Sequence, residues 1–248
     1  MADSWQFIPV YAGTGIEQMA IDNWLLNQHV RGDQPPCLRF YTWRSPTISL
    51  GYHQKQIPDH WNCLEYEEKS VELVRRPTGG RAVLHQGDLT YSLVTSGLRG
   101  SRREVYQYLC QFLIKGWQKL DVALAFGAAG KGYIKSPNCF GTATAADLVT
   151  SDGYKLIGSA QVYREGCVLQ HGSIRLSPDA ALFETVFGSD SFGRSHLQQR
   201  LTALDIGTVV NVLAEAAKES FNVKLKQKAL TPVEIKKAVE THQIALER

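Results

Sequence analysis

Two spacings of apolar residues alternate along this chain. Ile16, Ala20, Ile21, Trp24 and Leu25 recur on one side of a 3.6-residue turn, behind a Thr14–Glu17 pair with capping-box spacing, so the pattern predicts a first helix. After the break at Asp33-Gln34-Pro35-Pro36 the segments shorten. Residues 38–41 and 47–50 read as strands set off by Ser45-Pro46 and Gly51. Residues 71–76, 81–84 and 89–94 continue in extended form around Pro77-Thr78-Gly79-Gly80, which predicts an antiparallel meander. Ser101 and Glu104 then repeat the capping-box spacing. They precede the most regular stripe of the chain, Val105, Tyr108, Leu109, Phe112, Leu113, Trp117 and Leu120, which predicts a second helix.

Strand patterns return at 122–126, 146–149, 154–163 and 166–176, with Ser151-Asp152-Gly153 and Arg164-Glu165-Gly166 as hairpin turns. Ser177-Pro178 opens a short helix to about Phe187, residues 209–221 give a longer one, and Thr231-Pro232 with Glu234 starts the last. Hairpins followed by helices favour an α+β fold over a doubly wound parallel sheet. No repeat or low-complexity linker interrupts the chain, so one unit over 1–222 with a short strand-helix appendage at 223–248 is expected.

Composition narrows the functional classes. The 248 residues are 44% hydrophobic and carry a formal charge of +3, which excludes dominant disorder and gives no electrostatic case for nucleic-acid binding. The five cysteines, Cys37, Cys63, Cys110, Cys139 and Cys167, are odd in number and contain no CxxC pair, so neither a disulfide framework nor a zinc ribbon is expected. The opening MADSWQFIPV lacks the blocks of a signal peptide, and no apolar run has the length of a membrane span. A cytoplasmic protein without membrane or nucleic-acid partners is the expectation.

The segment RRPTGGRAVLHQGDLTYS, residues 75–92, holds the densest candidate chemistry. Gly79 and Gly80 lack a Cβ, so a ligand could approach their backbone while Arg75, Arg76 and Arg81 face an anionic or carboxyl group; equally, the pair could serve a tight turn. The spacing matches neither a GxxxxGK phosphate loop nor a GxGxxG dinucleotide loop. His85 is a candidate ligand contact or a structural hydrogen-bonding group, and Asp88 is expected to fix the meander through backbone amides. Cys139 lies in SPNCFGTATAAD, among small and polar residues where core filling explains a thiol poorly, and a thiolate there would be a competent nucleophile. Lys155 is expected to share a strand face with Ile157, Ser159, Gln161 and Tyr163. Partial desolvation between Leu156 and Ile157 would lower its pKa and suit it to proton transfer, the alternative being an edge lysine that discourages aggregation. Gly158, Ser159 and Ala160 are small enough to pack against a chain or to mark a bulge. His171 reads as structural, and Cys37, Cys63, Cys110 and Cys167 as packing residues.

LRFYTW and SLGYHQ (38–43, 49–54), RRPTGGRAVLHQGDLTYS, DGYKLIGSAQ (152–161) and LQHGSI (169–174), in that order, resemble the lipoate and biotin protein ligase and octanoyltransferase superfamily. They look most like its cysteine-dependent octanoyltransferases that are similar to lipoate-protein ligase A. That resemblance implies a mixed, largely antiparallel sheet flanked by helices, with the glycine segment lining a tunnel for a medium-chain acyl group. It implies that an octanoyl group passes from octanoyl-acyl carrier protein through a Cys139 thioester to a lysine on a lipoyl domain of a 2-oxoacid dehydrogenase or on glycine cleavage H protein. Lys155 would polarise the carbonyl, and Arg75, Gly79, Gly80, His85, Gly158, Ser159 and Ala160 would shape the pocket. Arg75, Arg76, Arg99, Arg102 and Arg103 would steer acidic partners. No cofactor is then needed. Three alternatives remain: an ATP- and magnesium-dependent lipoate-protein ligase, an octanoyl amidotransferase between lipoyl proteins, and a non-catalytic acyl-binding protein.

Overall fold

A computed structural model describes residues 4–127, 147–188, 193 and 195–246. The chain opens with β1 (Ser4–Gly13), α1 (Gly15–Val30), β2 (Cys37–Trp43) and β3 (Thr47–Leu50). Two-residue strands β4 (Glu65–Tyr66) and β5 (Lys69–Ser70) precede β6 (Glu72–Arg75), β7 (Val83–His85), β8 (Asp88–Ser96) and α2 (Arg102–Lys119). Then come β9 (Leu124–Phe126), β10 (Asp147–Thr150), β11 (Lys155–Arg164) and β12 (Cys167–Arg175). The rest is α3 (Ala180–Phe187), α4 (Gln198–Thr202), α5 (Ile206–Phe221), β13 (Lys224–Gln227) and α6 (Pro232–Leu246).

An eight-stranded sheet runs β13-β1-β2-β8-β12-β11-β10-β9, parallel in its first two pairings and antiparallel in the rest. The expected α+β class, with a mixed and mostly antiparallel sheet, is the one observed. Period-two alternation gives the sheet two different faces. On one, Leu38 and Phe40 of β2, Leu89, Tyr91 and Leu93 of β8, and Val168 and Ile174 of β12 pack under α2 and α5 through Leu109, Leu113, Leu213 and Phe221. On the other, Cys37, Val94 and Leu169 pack with Ile21, Leu25 and Ala238 from α1 and α6. Further along these strands that second face turns polar, at Arg39, Tyr41, Thr90, His171 and Ser173.

Both predicted capping boxes form, Thr14 with Glu17 and Ser101 with Glu104, and each opens its helix where the sequence places it. Ile16 is the exception in the first stripe, being 45% exposed. The Arg164-Glu165-Gly166 turn also forms, with left-handed φ of 48° and 78° at Glu165 and Gly166, the pair of conformations a two-residue hairpin demands.

The meander does not form. β6 and β7 never pair with each other; both pair with β3, β6 in parallel and β7 antiparallel, giving a second sheet in the order β6-β3-β7. The glycine segment must therefore cross the end of β3 instead of closing a tight hairpin. The C-terminal residues add an edge strand, with β13 paired to β1 and α6 laid on α1.

Candidate active site

Where the second face of the large sheet turns polar it parts from the three-stranded sheet, leaving a cavity of about 630 Å³ including its mouth. Tyr41, Thr90, His171 and Ser173 of the large sheet line one side; Ser49, Val83 and His85 of the small sheet, with Gly79 and Gly80, line another. Met19 of α1 and Trp43 add apolar surface.

Lys155 reaches this cavity through a register fault. Leu148 pairs with Ile157 but Val149 pairs with Lys155, so Leu156 is an extra residue opposite none. Such a bulge bends a strand and resets its alternation. Leu156 and Ile157 are therefore both in the core under α2, and Lys155 turns to the opposite face, where its Nζ lies 2.9 Å from Asp147 Oδ1. The expected shared face for Lys155, Ile157 and Ser159 is thus overturned: an unbroken strand would have pushed the ammonium into apolar core. Lys155 and Asp147 are both buried, so the ion pair supplies the compensation that a charge in such a place requires. Gly158, Ser159 and Ala160 follow it along the cavity wall. The Ser159 hydroxyl accepts a 2.8 Å hydrogen bond from Tyr91 on the sheet's other face, which leaves Gly158 and Ala160 as the small residues turned toward the cavity.

The two neighbouring arginines divide their labour. Arg76 is buried and lines the cavity, donating from Nη1 to the Ser49 carbonyl at 2.7 Å and from Nη2 to the Gly79 and Arg81 carbonyls at 2.9 and 2.6 Å. It holds the glycine segment in shape. Arg75, expected in the pocket, is outside it and donates to the carbonyls of Gly51 and Gln54, each at 2.8 Å. Successive residues at the end of a strand point to opposite sides, so only one could enter. Gly51 and Gly80 explain the glycine requirement. A Cβ on Gly51 would stand 1.8 Å from the Gly80 carbonyl oxygen, and Gly80 has a φ of +101°.

His85 and His171 line the cavity with both ring nitrogens engaged. His85 Nδ1 lies 2.8 Å from Asp88 Oδ2 and Nε2 lies 2.8 Å from Ser49 Oγ; His171 Nδ1 lies 2.8 Å from Asp22 Oδ2 and Nε2 lies 2.7 Å from Thr78 Oγ1. Burial pulls the His85 pKa below its ordinary 6.5, with Asp88 opposing. Burial alone would raise the Asp22 carboxyl, but Arg39, 3.1 Å away, and His171 outweigh it and hold the group below its ordinary 3.8. Asp88 accepts from His85, Thr90 and Ser173 side chains through Oδ2, not from backbone amides as the sequence suggested.

Cys139 lies outside the described residues. Of the described cysteines, Cys37 and Cys110 are buried thiols pushed up to about 12, and burial also raises Cys167. None of these lines the cavity. Cys63, read as a packing residue, is exposed on a short turn at 59–63, away from the apolar stripes. The described chain stops at Gly127 and resumes at Asp147, and the Gly127 amide donates to the Asp147 carbonyl at 2.9 Å, beside Lys155. Among the described residues no cluster of three His, Cys, Asp or Glu could hold a metal, and no helix is long and apolar enough to cross a membrane.

Sequence reasoning missed Asp147, Asp22, Arg39, Trp43 and Ser173. A buried-strand arginine such as Arg39 in LRFYTW is the one available signal, since it demands a carboxylate partner somewhere.

A family model described as the lipoyl protein ligase A/B catalytic domain matches residues 14–226. An octanoyltransferase LipM of Carboxydothermus hydrogenoformans is 42% identical over 71% of this chain and 66% of its own length; one from Halalkalibacterium halodurans is 33% identical over 99% and 96%. Among solved structures, a lipoate-protein ligase A bound with ATP superposes with a TM-score of 0.76 at 19% identity, covering 96% of this chain and 93% of that one. A bi-partite lipoate protein ligase from Thermoplasma acidophilum gives 0.72 at 19%, covering 97% and 92%. The shared architecture, the ordered motifs and the match over most of the length lead to one conclusion: the chain belongs to the lipoyl protein ligase A/B catalytic domain family.

Proposed function

We propose that the protein is an octanoyl-[acyl-carrier-protein]:protein N-octanoyltransferase that works through a thioester on Cys139. The observation that carries this reading is the bulge-directed Lys155–Asp147 pair, set in a cavity with small residues and an apolar wall, at the point where the chain returns from the segment holding Cys139. The octanoyltransferases at 33–42% identity support the acyl group and the transfer chemistry.

In the first half-reaction the Cys139 sulfur bonds to the octanoyl carbonyl carbon, the bond to the carrier sulfur breaks, and the thiol proton goes to the departing thiolate. In the second, a neutral lysine amine on a lipoyl domain bonds to that carbon, the Cys139 thioester breaks, and one amine proton restores the thiol. Lys155 donates a charged hydrogen bond to the oxygen that becomes negative in each tetrahedral intermediate, while Asp147 holds it in place. Gly158, Ala160, Gly79 and Gly80 give the chain close contact with backbone, and His85 with Trp43 forms wall. The first exchange conserves the thioester and the second spends it on the amide, so neither draws on a nucleotide or metal.

The test is incubation with octanoyl carrier protein and no ATP, followed by intact mass and by transfer to apo lipoyl domain. An octanoyl adduct on wild type that is lost in Cys139→Ala, together with product, is the expected result. Product that appears only with ATP and survives Cys139→Ala would replace this reading with a ligase. Product from an octanoylated lipoyl protein alone would make it an amidotransferase, and an acyl group bound without any product would make it a binding protein. Lys155→Ala should cut kcat by about 10²–10³, the range for loss of one donor to an oxyanion, in protein whose circular dichroism remains native.

A further inference from the structure

A second groove opens beside the cavity and shares Arg76 and Gly79 with it. Arg75, Arg102, Arg164, His53 and His242 also line it, and among the described residues no Asp or Glu does. The guanidinium groups at its edge are held by neutral partners. Arg75 donates to main-chain carbonyls, Arg164 to the side-chain oxygens of Asn23 and Asn27, and Arg102 lies 5.2 Å over the Tyr163 ring. Among the described residues none of these three has a carboxylate in ion-pair range. The nearby His242 Nδ1 is buried with no hydrogen-bond partner among them. Among the described residues, three guanidinium groups without a carboxylate partner and an orphaned imidazole nitrogen thus face one groove, whose positive potential favours an anion.

We propose that this groove binds the phosphate of a phosphopantetheine arm, the tether by which an acyl thioester hangs from its carrier protein. The inference rests on the donor assigned above. A carrier thioester has its acyl chain at one end of the arm and a phosphodiester at the other, and the protein offers a cavity and a basic groove side by side, with Arg76 and Gly79 lining both. Arg102 and Arg164 would supply charge-assisted hydrogen bonds to the phosphate, and Tyr52, 59% exposed, and Tyr163 would flank the uncharged part of the arm.

The experiment compares two small donors, octanoyl-4′-phosphopantetheine and octanoyl-pantetheine, identical except for the phosphate. The expected result is a higher kcat/KM for the phosphorylated donor in wild type. The ratio of the two should fall by about tenfold for each charge lost in Arg102→Gln and Arg164→Gln and recover in Arg102→Lys with Arg164→Lys. A wild type indifferent to the phosphate, or variants that slow both donors equally, would overturn the proposal. So would variants whose only change is a raised KM for the lipoyl acceptor, since the groove would then serve the other partner. Calorimetric titration with 4′-phosphopantetheine and with pantetheine decides the groove separately from catalysis. Preferential binding of the phosphate form, weakened in the Gln variants, supports it even if neither thioester reacts, in which case the donor assignment alone fails. Equal binding of both, or binding of neither, overturns it.

Discussion

His85 and His171 stand on the two sheets that enclose the cavity, each with a carboxylate at 2.8 Å on Nδ1 and a hydroxyl within 2.8 Å on Nε2. Their surroundings differ. Asp22, behind His171, also pairs with Arg39 and accepts the Tyr41 hydroxyl at 3.0 Å, and the Arg39 guanidinium in turn donates to Gln18 Oε1. That cluster ties α1 to β2, β12 and the glycine segment, and its charge is balanced. Asp88, behind His85, has no Lys or Arg in ion-pair range among the described residues, and its Oδ1 is buried without a hydrogen-bond partner. The two triads therefore differ in charge, not in reach: one joins α1, β2, β12 and the glycine segment around a paired charge, while the other joins β3, β7, β8 and β12 through hydrogen bonds without a Lys or Arg partner and stacks His85 on Trp43 at 3.9 Å in the cavity wall.

The sharpest way to break this contrast is Asp22→Leu. It strands Arg39 in the interior and should cost about 3–5 kcal/mol in urea unfolding, with much of it recovered by adding Arg39→Met. A loss below about 1 kcal/mol would mean that Asp22 is no clamp. His85→Ala removes a neutral donor from Asp88 and should cost less, about 1–3 kcal/mol. Equal costs at the two sites would erase the distinction.

Acid separates the clusters more gently. The folded His85 pKa is below its ordinary 6.5, so the unfolded chain binds more protons there, and its contribution is complete above pH 6.5 and lost as pH falls toward the folded value. Asp22 is also lowered, from 3.8, so its contribution persists until the pH falls below about that value. Thermal unfolding followed from pH 7.5 to 5 should show Tm falling by a few degrees per kcal/mol lost, and His85→Gln should flatten that slope. An unchanged slope would remove His85 from the account.

Much of the frame was legible in short stretches of chain. Thr14 with Glu17 and Ser101 with Glu104 needed only three-residue spacing, and the Arg164-Glu165-Gly166 turn needed only a glycine able to adopt positive φ. The site was legible in part. Lys155, Gly79, Gly80, His85, Gly158, Ser159 and Ala160 all line the cavity, whereas Arg75 gave its place to Arg76. Asp22 was invisible because its partner His171 lies 149 residues away, and Asp147 because nothing local marks it as a lysine's counter-ion.

By itself, then, the sequence determined five of the six described helices, the hairpin turns at 151–153 and 164–166, the class of fold and the motifs that identify the family, since each depends on propensities and spacings within a few residues. The tertiary structure alone decided that β3 would separate β6 from β7, that a single extra residue at Leu156 would turn Lys155 from the core to the cavity, and that arginines far apart in the chain would share one groove. Those outcomes depend on which strand finds which neighbour and in what register. A one-residue difference in register reverses every side chain along a strand, and no local pattern records it.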